Sequence, residues 1–158
     1  MKKFVTLMLA LVAFATAANA EGVIIGDRLP DMRISSWLMD MQPDEADYTC
    51  ILFCHSESPL CSKCIKHVKR LINNYKPNFN IIIITKEAYS SAGVSLTEHL
   101  ADNTGIAFDD KGRTFRSFRV KFIPFCVISN DKRRAVWCGN GAALTEQIIE
   151  TILTTKTK

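Results

Sequence analysis

The stretch Cys50-Ile51-Leu52-Phe53-Cys54 leads, seven residues on, to Cys61-Ser62-Lys63-Cys64 and then to Ile65, Val68, Leu71, Ile72 and Tyr75. Residues 50–54 are uniformly apolar, as a central strand buried on both faces must be. The later apolar positions recur at helical spacing, which predicts a helix over residues 62–75 that stops near Pro77. The two cysteines therefore stand where a strand hands over to a helix. A sulfur at that place meets unpaired backbone N–H groups and the positive end of the helix dipole. The thiolate is the reactive form, and such surroundings lower a cysteine pKa from about 8.5 toward neutrality. Lys63 adds a positive charge between the two sulfurs. Cys61, nearer the loop, is expected to be the exposed, attacking thiolate. Cys64, one turn inward, is expected to be shielded, to have the higher pKa, and to resolve the mixed disulfide. A permanent brace is a poor use of the pair, because so small a loop constrains the unfolded chain little.

Working outward, residues 79–85 include four consecutive isoleucines and read as a second buried strand. Ser95-Leu96-Thr97-Glu98 has the spacing of a capping box and predicts a short helix over residues 95–105. Strands follow at residues 125–129 and 135–138, joined by a polar turn short enough to force antiparallel pairing. A last helix is expected over residues 144–153. The sum is a single α/β domain, a mixed central sheet flanked by helices, with a thioredoxin-like order of elements.

The chain has 158 residues and six cysteines. Lys2 and Lys3, the apolar run over residues 4–15 and Ala18-Asn19-Ala20 form a secretory leader, which leaves residues 21–158 as the mature domain. The run is shorter than the roughly 20 apolar residues needed to span a bilayer. Export puts all six cysteines in an oxidising compartment, periplasmic or secreted. The whole chain carries a formal charge of +4, and losing Lys2 and Lys3 leaves +2. That is too little to argue for nucleic acid or a membrane surface. Lys132-Arg133-Arg134, beside Asn130-Asp131, reads as a solvated turn.

Three separated motifs resemble exported thiol–disulfide oxidoreductases of the TlpA/ResA type, within the wider thioredoxin and peroxiredoxin-like group. Ile25-Gly26-Asp27-Arg28-Leu29-Pro30-Asp31 is similar to the group's Gly-Asp-x-x-Pro-Asp start. The strand, Cys61-Ser62-Lys63-Cys64 and helix form the second motif. The third is Arg119-Val120-Lys121-Phe122-Ile123-Pro124-Phe125, similar to the segment that holds the family's cis-proline. The resemblance implies a cis Ile123–Pro124 bond beside the dithiol. It also implies a groove in which Ile123, Pro124 and Phe125, with Lys63, receive a partner. Departures include Ser-Lys between the cysteines, Leu60 where the family has an aromatic, about two extra residues within 55–60, and no carboxylate in residues 50–54. Water or another group such as Glu57 then moves the proton.

The implied function is thiol–disulfide exchange with cysteines of other secreted proteins and a further redox partner. The Cys61–Cys64 disulfide is its only cofactor, and the protein acts as a monomer. The competing class is a non-catalytic binding module that uses the same groove for a protein or soft-metal ligand. Cys50 and Cys54 lie about 13 Å apart along one strand, too far to share an ion, so a metal site would need Cys61, Cys64 and one histidine. His55, His67 and His99 read as bystanders. A thiol peroxidase is the third reading; that family places Thr or Ser three residues before its reactive cysteine, after a proline, and Pro59 does not reproduce the spacing. Cys54–Cys126 and Cys126–Cys138 are candidate bridges. At least one of Cys50, Cys54, Cys126 and Cys138 is expected to remain a free buried thiol.

Overall fold

The computed structural model describes residues 22–155, so the leader expected over residues 1–20 lies outside the described residues. In chain order the elements are β1 (Ser36–Trp37), β2 (Tyr48–Phe53), α1 (Pro59–Asn73), β3 (Phe79–Thr85), α2 (Tyr89–Leu96), β4 (Thr104–Phe108), α3 (Arg113–Ser117), β5 (Phe125–Asn130), β6 (Ala135–Gly139) and α4 (Glu146–Thr155). Short 3₁₀ turns occupy Leu38–Asp40, Thr97–His99 and Gly141–Ala143. One mixed sheet takes the strands in the order β1-β4-β3-β2-β5-β6. The three central strands β2, β3 and β4 are parallel, with Cys50 opposite Ile81 and Ile83 opposite Ile106. β5 pairs antiparallel with both β2 and β6.

Successive strand residues face opposite ways, and this alternation sorts the apolar side chains into two cores. On one face Cys50, Leu52, Phe79, Ile81, Ile83, Ile106, Cys126 and Ile128 pack under α1, α2 and α4. On the other, Ile51, Phe53, Ile82, Ile84, Phe125 and Val127 pack against Phe115, Phe118 and the N-terminal segment. The single α/β domain with a mixed sheet between helices is the architecture read from the sequence.

Three local readings need correction. Ser95 does not open a helix: its hydroxyl donates to the Ala92 carbonyl, 3.0 Å away, inside the last turn of α2. The helix begins earlier, where Tyr89 stacks on Phe108 with ring centroids 5.0 Å apart. Thr104 then starts a strand rather than ending a helix. Gly105 within it lies where an added Cβ would fall 2.6 Å from the Pro43 ring. The basic turn is not merely solvated. Arg133 binds the Asp31 carboxylate at 2.7 Å and the Pro30 carbonyl, and Arg134 donates to the Gly26 carbonyl. These contacts fasten the N-terminal segment alongside β6, where Leu29 and Ala135 also exchange backbone hydrogen bonds with Arg133 and Asp27.

Candidate functional site

Ser58-Pro59 sets the start of α1. The Ser58 hydroxyl accepts the Cys61 N–H at 3.2 Å as an N-cap, and Pro59 fills the first helical position, where its missing N–H costs nothing. The helix therefore begins three residues before the expected residue 62. Cys61 lies inside its first turn and extends the apolar stripe of Cys64, Ile65, Val68, Leu71 and Ile72 toward the sheet. For that reason the expectation of an exposed Cys61 is wrong: its relative exposure is 0%, against 1% for Cys64, while the outward Leu60 is 67% exposed. Burial, however, does not silence the sulfur.

The Cys61 thiol is lowered to about 6. The neighbouring Cys54 thiol is the largest cause and acts against desolvation; the Ser58 hydroxyl, the His55 N–H and the His55 charge add to it. The His55 N–H lies 3.4 Å from the Cys61 Sγ. Cys64 goes the other way, pushed up to about 12 by burial and by the neighbouring Cys50 and Cys61 sulfurs. Lys63 stands on the exposed side of α1, and the groups that lower Cys61 are others. Gly141, after β6, closes over Cys64 so tightly that an added Cβ would sit 2.5 Å from its Sγ.

All six cysteines are free thiols in this structure. The Cys50 and Cys126 sulfurs are 3.3 Å apart beneath the dithiol. A Cys126–Cys138 bridge is excluded by alternation: Cys138 pairs with Val127 and faces the opposite core. Among the described residues no group of three or more His, Cys, Asp or Glu side chains is arranged for a metal ion, and no helix is long and apolar enough to cross a membrane. His67 instead contacts the Leu144 carbonyl at 2.8 Å, and His99 is buried.

The Ile123–Pro124 peptide is cis, as is Lys76–Pro77. Phe53 pairs with Phe125 across β2 and β5, which brings Pro124 alongside Cys54. A cleft of about 190 Å³ opens there between Cys54-His55 and Val120–Ile123. Ile123 is exposed at its rim, as is Phe122, which sequence reasoning passed over. Phe125 requires a correction. It is buried, its ring meets Phe53 and Phe122, and it does not line this cleft.

Sequence reasoning weighed Cys54 only as a bridge partner or buried thiol, and missed Ser58 and Glu87. The Ser-Pro pair was a readable signal for the helix start. Glu87 had none, because only the parallel register of β2 and β3 brings it to the site. Its two carboxylate oxygens take the Ser56 N–H at 2.8 Å, the Ser56 hydroxyl at 2.5 Å and the Thr85 hydroxyl at 2.7 Å. They face His55 Nδ1 at 3.6 Å. Glu57, the carboxylate singled out from the sequence, is exposed and offers His55 Nδ1 only its backbone N–H.

A central strand running into a helix that begins with a dithiol, followed by a cis-proline and an antiparallel hairpin, defines the thioredoxin fold. The solved structures agree. The chain superposes on a protein from Chlorobium tepidum assigned as thiol:disulfide interchange protein DsbE, with a TM-score of 0.66 and 21% identity over 83% of this chain and 99% of that one. The thioredoxin domain of a thiol-disulfide oxidoreductase from Bacteroides vulgatus gives 0.65 at 12% identity, covering 86% and 99%. A thiol peroxidase from Chromobacterium violaceum gives 0.68 at 13%, covering 87% and 90%. The chain matches no protein-family model and no curated protein.

Proposed function

We propose that this chain is an exported, monomeric thiol–disulfide oxidoreductase acting on cysteines of other secreted proteins. The observation that carries the reading is the placement of two thiols three residues apart at the start of α1, after a central strand and beside the cis Ile123–Pro124 peptide, with neighbours pushing Cys61 down and burial pushing Cys64 up. In the reducing direction, the Cys61 thiolate attacks one sulfur of a partner disulfide. A Cys61–partner bond forms, the partner's S–S bond breaks, and its other sulfur leaves as a thiolate. Cys64 then gives up its proton and attacks the Cys61 sulfur. This expels the second partner thiol and leaves Cys61–Cys64 oxidised by two electrons. The oxidising direction is the reverse, and a second redox protein restores the starting state. No cofactor beyond the two sulfurs is invoked.

The raised value of Cys64 keeps it protonated while Cys61 reacts. The buried position of Cys61 requires the turn over residues 55–60 to yield as a partner docks at Ile123, Pro124 and the exposed Phe122. Insulin reduction with Cys61→Ser as control tests the proposal. Turnover that vanishes in the variant supports it; wild-type activity no higher than the variant's points to a binding module with this fold. One observation favours a thiol peroxidase as the second reading. Ser58 stands three residues before Cys61 and its hydroxyl touches that residue. Peroxide consumption coupled to dithiothreitol oxidation distinguishes it.

A further inference from the structure

We infer that Glu87 is a positioning residue for Cys61, its carboxylate clamping the His55-Ser56 turn so that the His55 N–H is held at the sulfur. The inference rests on Cys61 being the attacking thiol. The turn that covers Cys61 contains one of its hydrogen-bond donors, the His55 N–H at 3.4 Å. The turn closes on itself through the Ser58 N–H to the His55 carbonyl at 3.2 Å, and a side chain from outside it fixes it against the sheet. Glu87 supplies the anchor, because it follows β3, whose Ile84 carbonyl receives the Cys54 N–H at 2.9 Å. The strand end and the turn are thus tied at adjacent residues.

Both oxygens of the carboxylate are engaged, by three hydrogen bonds in all. Oε2 takes the Ser56 N–H and the Thr85 hydroxyl; Oε1 takes the Ser56 hydroxyl and faces His55 Nδ1. The side chain is 12% exposed, against 44% for His55. Desolvation at this site opposes the charge, yet the bonds from Ser56 and Thr85 and the facing His55 hold the carboxyl below its ordinary value. Glu87 therefore stays a carboxylate wherever Cys61 titrates. The groups that face Cys61 are Cys54, Ser58, His55 and, from the same helix, Cys64. Glu87 acts on it through His55 alone.

Glu87→Gln isolates the effect. A carboxamide has nearly the same shape but only one acceptor oxygen, so one of the two sets of donors loses its partner and the charge facing His55 is gone. The readout is the pH dependence of Cys61 alkylation by iodoacetamide in the reduced full-length protein, followed by mass spectrometry. In Glu87→Gln the midpoint is expected to rise, with the rate at pH 6 falling about fivefold, the effect of a shift of roughly one pH unit. Glu87→Asp, which keeps the charge, should recover part of the rate. The Glu87→Gln and His55→Gln shifts should combine to less than their sum, since both act through one turn. An unchanged profile in a folded Glu87→Gln protein, or fully additive shifts, overturns the inference. If Glu87→Gln fails to fold, Ser56→Ala takes its place, and an unchanged profile there overturns it equally. Alkylation needs no turnover, so a protein inactive on insulin would leave this result standing.

Discussion

Gly141 and Cys64 are in such close contact that the glycine's missing side chain is part of the site. A Cβ at residue 141 would come within 2.5 Å of the Cys64 Sγ and 3.1 Å of Leu52 Cδ2. Gly141→Ala must therefore push the Cys64 sulfur or the 3₁₀ turn aside. The expected cost is about 1–3 kcal/mol of stability, the usual range for overpacking, measured by urea unfolding. Release of a mixed disulfide formed at Cys61 should slow in the same variant.

The lowered Cys61 thiol also makes stability depend on pH. Its folded value is about 6, below the ordinary 9.0, so the unfolded chain holds this proton more tightly. The resulting stabilisation is complete above the unfolded value and disappears as pH falls through the folded one. The melting temperature of the reduced protein, compared with Cys61→Ser, should thus gain on the variant between about pH 6 and pH 9. Cys64 acts oppositely. Its raised value favours the fold most below 9.0 and lets that advantage go as pH rises toward 12.

Cys54, just after β2, is the neighbour that lowers the Cys61 thiol most. Removing it in Cys54→Ala should move the Cys61 alkylation midpoint upward from about 6. A less stable thiolate favours the disulfide, so the midpoint potential of Cys61–Cys64 should become more negative, by about 30 mV for each unit of pKa. A glutathione titration measures it.

Phe53, one residue before Cys54, is fully buried, with the Phe115, Phe118 and Phe125 rings at centroid distances of 4.9, 5.2 and 6.0 Å. Phe53→Ala should cost about 3–5 kcal/mol, seen as a lower urea midpoint with an unchanged slope.

The parts of the fold that were legible are those with unambiguous burial. Strand β3 was read to the residue because four consecutive isoleucines between Phe79 and Thr85 have no competing period. The hairpin was plain because Asn130–Arg133 is short and polar. By contrast, β4 begins with Thr104-Gly105 and is only five residues long, too brief to outweigh its weak β propensity. The capping-box spacing at Ser95 misled because a serine hydroxyl donates to the preceding turn as readily as it caps a following one. At the site, the dithiol and the Ile123–Pro124 segment were visible as local motifs. The groups that tune Cys61 directly, Cys54, His55 and Ser58, lie within seven residues of it, but Glu87 reaches the turn only through the register of β2 and β3. Phe125 was misread because its burial depends on Phe53, one strand away.

Cys61 lies fully buried behind the turn that carries His55, with a consequence for kinetics. When a sulfur reacts only after its cover lifts, opening sets an upper limit on velocity that no excess of reagent can exceed. Pseudo-first-order rates of Cys61 modification should then bend toward a plateau as reagent concentration rises, and bulky oxidants should reach that ceiling later than small ones.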